Sequence, residues 1–403
     1  MTNWQELEQK YYMQVIKRVP LTLVRGKGVC VWDDQGRVYL DFVGGLAVNC
    51  LGHSHPVVVQ ALSEQAGHLI QTCNQFYTIP QVRLAQLLVE NSYLDRVFLC
   101  NSGTEANEGA VKLARRYGKL KLGGAHEVIT TFNSFHGRTL AMVAATGQAK
   151  FQEPYTPLPA GFVNVAYDDI EAIKAATSER TCAVMLEPIQ GEGGVIIPGE
   201  HYFKEVAAWC QKKGLLLILD EIQTGMGRTG SLFAYQQLGV EPDIMTLAKG
   251  LGSGVPIGAV LAKEKAAVFS LGDHGSTYGG NPLTCAVGYA VAKYIIDYDV
   301  PGNARQMGQR LLAGLEVLQS KFDFVAEARG RGLLVALEFK RDMADKVLQD
   351  CLERGLLVNQ PKPNVVRFIP PLIVTEAEVD EALAILEEAL AAAGAEPVAS
   401  PEK

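Results

Sequence analysis

Between Leu215 and Gly254 the chain reads LLLILDEIQTGMGRTGSLFAYQQLGVEPDIMTLAKGLGSG, and no other stretch limits the possible folds as much. The run Leu215 to Leu219 is short and continuously apolar, as a strand buried on both faces is. It ends on Asp220 and Glu221. A second such run, Asp243 to Leu247, ends just before Lys249 and a glycine-rich loop. Strands covered on both faces belong to sheets with helical crossovers, where ligands bind beyond the carboxyl ends. The pattern therefore predicts an acid and a lysine at neighbouring strand ends.

The surrounding chain supports that sheet. Helices are predicted at Gln81–Glu90, Glu105–Tyr117, Glu200–Lys213 and Pro282–Ile296. Strands are predicted at Glu127–Phe132, Cys182–Leu186 and Ile257–Leu261 besides the two above. Such alternation implies an α/β fold with a mostly parallel, helix-covered sheet. Before it, two β-rich runs flank Asp33-Asp34-Gln35-Gly36, which reads as a hairpin. After Asp299-Val300-Pro301-Gly302 a long helix, Ala304–Lys321, leads to β-rich runs near Gly332–Phe339 and Val365–Ile369. The last helix opens on a capping box, Thr375 to Glu378, and its Ala-rich end after Leu390 is expected to fray. The expected division is an N-terminal segment, 1–55, packing with the small domain, a large domain, 56–300, and a smaller α+β domain, 301–403.

Composition narrows the function. A chain of 403 residues with 48% hydrophobic and 20% charged residues builds a sizeable core. Its formal charge of −7 argues against a binder that works by bulk attraction to nucleic acid phosphates. No apolar run reaches the roughly 18–20 residues of a membrane helix, and Glu6 and Glu8 interrupt the N-terminus where a leader would be apolar. A cytoplasmic protein is expected. The eight cysteines include no CxxC pair and the seven histidines no HExxH spacing, so no metal site is expected; His53 and His55 read as loop residues.

A lysine and an acid at adjoining strand ends suit pyridoxal phosphate, the lysine for covalent attachment and the carboxylate for the pyridine nitrogen. Other stretches carry chemistry less decisively. Ser102-Gly103-Thr104 opens a helix and offers free amides to an anion, although an ordinary N-cap reads the same way. Phe135 and Arg138 follow the strand from Glu127 as a stacking face and a carboxylate fork, or as a core ring and a surface arginine. Glu187 and Glu192 lie in a glycine-rich turn at a strand end. Ser276 and Thr277 precede another helix. Arg367 sits inside an apolar strand, where it needs a carboxylate; a substrate and a structural ion pair both supply one. Gly225 to Gly230 spells GxGxxG, yet a dinucleotide site would need a helix at once and an acid closing the next strand, and Glu241 and Asp243 precede that strand instead. An NAD-linked oxidoreductase is thereby the remote alternative.

Taken in order, NSGTEANEGAVKLAR, SFHGRT, LEPIQGEGG, LDEIQTGMGRTG, TLAKGLGSGVPIGA, HGSTYGGNPL and VVRFIPPLIVT resemble the class III, ornithine aminotransferase-like pyridoxal phosphate enzymes. GLAVNCLGHSHP extends the likeness to about residue 45. The resemblance implies a fold-type I transferase and a homodimer sharing its active sites. It implies catalysis by Lys249 and Asp220, and cofactor contacts from Ser102, Gly103, Thr104, Phe135, Asp220, Glu221, Ile222, Gln223 and Lys249, with Thr277 from the other subunit. It implies substrate contacts from Arg138, Glu192, Ser276 and Arg367. The expected reaction moves the terminal amine of N2-acetylornithine to 2-oxoglutarate; ornithine, succinylornithine, 4-aminobutyrate or a carrier-bound lysine derivative are alternative donors.

Overall fold

The computed structural model describes residues 3–395. After the short helix Trp4–Tyr11 comes an antiparallel meander, β1 (Leu23–Lys27), β2 (Cys30–Asp33) and β3 (Val38–Asp41). The expected hairpin joins β2 to β3. Asp33 Oδ1 accepts from the Gln35 and Arg37 amides at 3.0 and 2.8 Å, an Asx-type closure that explains an acid at that corner.

Seven strands then build the large sheet: β4 (Arg96–Cys100), β5 (Glu127–Thr131), β6 (Phe162–Val165), β7 (Thr181–Leu186), β8 (Leu216–Asp220), β9 (Ile244–Leu247) and β10 (Gly258–Ala262). Their spatial order is β4-β10-β9-β8-β7-β5-β6. Every residue of β7, β8, β9 and β10 is buried, which is why these strands read as unbroken apolar runs. One strand departs from the expected direction: β10 runs antiparallel to both β4 and β9. The link from Leu247 to Gly258 holds only the short 3-10 turn Lys249–Leu251, too little chain for the helical crossover a parallel partner requires.

The remaining strands are β11 (Val325–Arg331), β12 (Leu334–Phe339), β13 (Leu356–Leu357), β14 (Asn359–Lys362) and β15 (Val365–Phe368). Four form a second sheet ordered β11-β12-β15-β14, while β13 pairs with β3 and joins the N-terminal meander. The helix expected from Ala304 begins one turn earlier and spans Val300–Lys321, because Asp299 caps it and Pro301 fits a first turn. The capping box is present: Thr375 N–H donates to Glu378 Oε2 at 2.8 Å, and Glu378 N–H to Thr375 Oγ1 at 3.4 Å. The Ala-rich end does not fray within the described residues. The helix Glu376–Ala395 continues with Leu390 and Ala393 buried.

No helix follows Gly225 to Gly230. The segment is a turn with left-handed φ at Met226, Gly227 and Gly230, and it ends in a short 3-10 turn, Ala234–Gln237. Its fully buried Arg228 donates from Nη1 to the carbonyls of Leu333 and Pro370 at 2.9 and 2.6 Å. The loop ties the large sheet to the C-terminal one. Among the described residues no helix is long and apolar enough to cross a membrane.

Candidate active site

Parallel pairing of β8 with β9 sets Asp220 opposite Thr246, so Asp220 and Lys249 leave the sheet side by side. Lys249 follows in a turn with φ of 32°, a left-handed backbone that lysine adopts only under constraint. Its amine makes no hydrogen bond or ion pair with the described residues. Burial lowers its pKa from the usual value; Glu192, Asp220 and Glu187 oppose the shift and Arg367 reinforces it. The shift makes the uncharged, nucleophilic form of the amine easier to reach.

Asp220 is 3% exposed and fully engaged. Its Oδ2 accepts from Asn107 Nδ2 at 2.7 Å and from His136 Nδ1 at 2.8 Å, and its Oδ1 from the Ile222 amide at 3.1 Å. Asn107 also donates to the His136 carbonyl and accepts from Thr246 Oγ1. These bonds fix the carboxylate's position and orientation. Asn107 and His136 were not singled out from the sequence. The one available signal was an asparagine at a buried position of the helix Gly103–Lys121, next to Ala106.

The chain leaves β4 into Ser102, whose hydroxyl caps that helix by accepting from the Glu105 amide at 3.2 Å. The Gly103 and Thr104 amides have no carbonyl partner by helix geometry and lie at the positive dipole end, which makes an anion cradle. Gly103 keeps the cradle open there: a Cβ would press on the Ile222 side chain at 2.8 Å and push it aside. Phe135, after β5, lines the same cavity, and its amide donates to Glu187 Oε2 at 3.1 Å. Burial pushes the Glu187 carboxyl well above its ordinary pKa, and the nearby charge of Asp220 adds to the shift.

Across the cavity Arg367, fully buried in β15, donates to Glu192 Oε1 at 2.8 Å, to Gln223 Oε1 at 3.2 Å and to Asn359 Oδ1. Burial alone would raise Glu192, but the charges of Arg367 and Lys249 and bonds from Arg367 and Gln223 hold it down at about 2. Gln223 fits only because residue 191 is glycine; a Cβ there would overlap its amide.

Not every expected residue converges. Glu221 turns away from the cavity and accepts from the Ala234 and Tyr235 amides at 2.6 and 2.7 Å. Neighbouring residues of a strand point to opposite faces, so an acid pair cannot put both carboxylates in one site. Ser276 accepts from Asn101 Nδ2 at 3.2 Å, beside the cradle, while the Thr277 carbonyl accepts from Gln71. Arg138 is exposed at the edge, its amide donating to Thr104 Oγ1 at 3.4 Å. His53 and His55 have structural partners: His53 pairs with Asp41 at 2.7 Å, and His55 caps the helix Pro56–Ala66.

Asn101 to Thr104, Phe135 to Gly137, Glu187, Glu192, Asp220, Ile222, Gln223 and Lys249 enclose about 360 Å³, within the range of small-cofactor sites. His136 Nε2 is buried without a hydrogen-bond partner at its wall. An amine ready for a carbonyl, an anion held for a ring nitrogen, an aromatic ring and an anion cradle fit pyridoxal phosphate. The sequence profile of the family described as Aminotransferase class-III matches residues 11–390. The chain belongs to that family. This class-III aminotransferase is a pyridoxal phosphate-dependent transaminase. It is 51% identical to the acetylornithine aminotransferase of Caldanaerobacter subterraneus subsp. tengcongensis over 95% of this chain and 98% of that one. It is 48% identical to the acetylornithine aminotransferase of Methanocaldococcus jannaschii over 96% and 97%. Among solved structures, the ornithine aminotransferase of Toxoplasma gondii superimposes with a TM-score of 0.93 at 36% identity, covering 96% of this chain and 94% of that one.

Proposed function

We propose that this class-III aminotransferase moves the terminal amino group of N2-acetyl-L-ornithine to 2-oxoglutarate, giving N-acetyl-L-glutamate 5-semialdehyde and L-glutamate. The reaction belongs to arginine biosynthesis, and the expected setting is the cytoplasm. The lone Lys249 amine beside a locked Asp220 carries the transamination reading. The high identity to acetylornithine aminotransferases along nearly the whole chain supports the donor.

When bound, pyridoxal phosphate supplies an aldehyde on an electron-poor ring that takes up an amino group. Ser102, Gly103 and Thr104 would hold its phosphate, with Thr277 of a second copy completing the cradle in a homodimer. Phe135 would cover one ring face; Ile222 and Gln223 would border the ring. Asp220 would meet the ring nitrogen and favour its protonated form. Lys249 Nζ would take the proton from the substrate carbon that bears the amine and hand it, within the same half-reaction, to the cofactor carbon that keeps the nitrogen; the second half would run the same transfer in reverse.

Arg367 meets the α-carboxylate of glutamate or 2-oxoglutarate, and Glu192 covers it while the ω-amine donor is bound. In the donor half, Arg138 and Ser276 hold the acylated end. The division into 1–55, 56–300 and 301–403 places Arg367 on the small domain and Glu192 on the large one. A second reading takes ornithine as donor, favoured by the close structural likeness to the Toxoplasma gondii enzyme. Turnover of each amine with 2-oxoglutarate separates the two. N2-acetylornithine is expected to give the highest kcat/KM, and a preference for free ornithine overturns the assignment.

A further inference from the structure

Arg138 has a use for its charge and no anion to meet. Its guanidinium makes no ion pair with the described residues. What holds it is aromatic: its Cζ lies 3.9 Å from the centre of the Phe151 ring and 5.4 Å from that of Phe135. Phe135 and Phe151 meet edge to face at 6.0 Å, so the two rings form a corner against which the arginine lies. A guanidinium on a ring face keeps its outer N–H groups directed away from the ring, free to fork onto a carboxylate.

Phe151 is itself firmly placed. It belongs to the short helix Ala149–Gln152. Gln152 Nε2 stitches that helix to the carbonyl of Thr146 at 2.8 Å and to Asn164 Oδ1 at 3.2 Å. Lys150 Nζ lies 4.8 Å from the centre of the same ring. Two cations around one ring repel each other within a Debye length of roughly 10 Å, and an arriving anion relieves that repulsion.

We infer that Phe151 is a positioning and specificity-determining residue, which holds the Arg138 guanidinium at the mouth of the site so that it captures a substrate carboxylate. The inference rests on the proposed function, in which Arg138 grips the carboxylate-bearing end of the donor. It adds that the grip depends on a ring 13 residues further along the chain that touches Arg138 and not the reacting atoms.

The test compares two donors on the holoenzyme: N2-acetylornithine, and N-acetyl-1,4-diaminobutane, the same amine without its carboxylate. Phe151→Leu keeps apolar bulk and removes the ring; Phe151→Tyr keeps the ring. Phe151→Leu is expected to raise KM for N2-acetylornithine by about 2- to 30-fold, the range a cation–π contact corresponds to, with kcat nearly unchanged. Its kcat/KM for the carboxylate-free donor should match the parent, and Phe151→Tyr should restore KM for the natural donor. Arg138→Ala should raise the same KM and make Phe151→Leu silent when combined with it. If Arg138→Ala raises KM while Phe151→Leu does not, or if Phe151→Leu impairs both donors equally, the positioning role is wrong and the proposed function stands. If Arg138→Ala leaves KM unchanged, the carboxylate assignment of Arg138 falls first and this inference with it.

Discussion

Asp220 and Glu221 are chemically alike, adjacent in sequence and equally buried, yet only one of them serves the site. Strand alternation sends Asp220 toward the cavity and Glu221 into the turn at Ala234, where burial raises its carboxyl to about 7 even though two backbone amides hold it. Asp220 has donors of another kind, a side-chain amide and an imidazole, which hold its carboxylate facing the cavity. Asp220→Asn is therefore expected to lower kcat by about 10- to 150-fold, the range that corresponds to roughly 1.5–3 kcal/mol for a hydrogen bond to a charged group. Steady-state kinetics alongside an unchanged far-ultraviolet circular dichroism spectrum checks this; a kcat within twofold of the parent would remove Asp220 from its role. Lys249 and Asp220 were legible because each ends an apolar run. Asn107 and His136 were not, because their meaning lies in a partner 113 and 84 positions away in sequence. No local spacing encodes such a contact.

At the scale of elements, hydrophobic runs located the central strands well, since β7, β8 and β9 are buried on both faces. The edge strands β4 and β6 were missed. Each is only partly buried, so RVFLC and FVNV carry too little apolar continuity to stand out. That omission matters, because β4 delivers the anion cradle. Terminal signals read more reliably, as the reciprocal Thr375–Glu378 bonds illustrate. Thr375→Ala removes the acceptor for the Glu378 amide and should cost about 1 kcal/mol, read as a lower urea midpoint with the slope unchanged. An unchanged midpoint would mean that the helix Glu376–Ala395 is held by its packing on the helices Val300–Lys321 and Ala344–Glu353 and not by its cap.

For the molecule as a whole, charged side chains join the large sheet to the C-terminal one, and two of these contacts involve stretches that stood out in the sequence. Arg228 bonds to Leu333 and Pro370, and Glu192 pairs with Arg367. The sequence showed the first only as a GxGxxG string and left the second open between substrate and structural partner. Neither is decidable without knowing how the sheets meet. The Glu192 pair carries a pH signature. Its folded pKa of about 2 lies below the ordinary 4.5, so its stabilisation is full above about 4.5 and is lost as pH falls toward 2. Thermal midpoints of Glu192→Gln and parent should differ most above pH 4.5 and converge below it; curves that stay parallel across that window would contradict the linkage.

The reversed strand β10 has a consequence for how this enzyme can vary. Lys249 hangs on a span moored at both abutments to one sheet, with Leu247 and Gly258 as the fixed piers. Lengthening that span next to the lysine, where Ala248, Gly250 and Leu251 are buried, moves the amine relative to the strand end that presents Asp220. Drift in loop size thus weighs most on the segment that carries Lys249, where side-chain exchange disturbs the placement of the amine less than a change of length does.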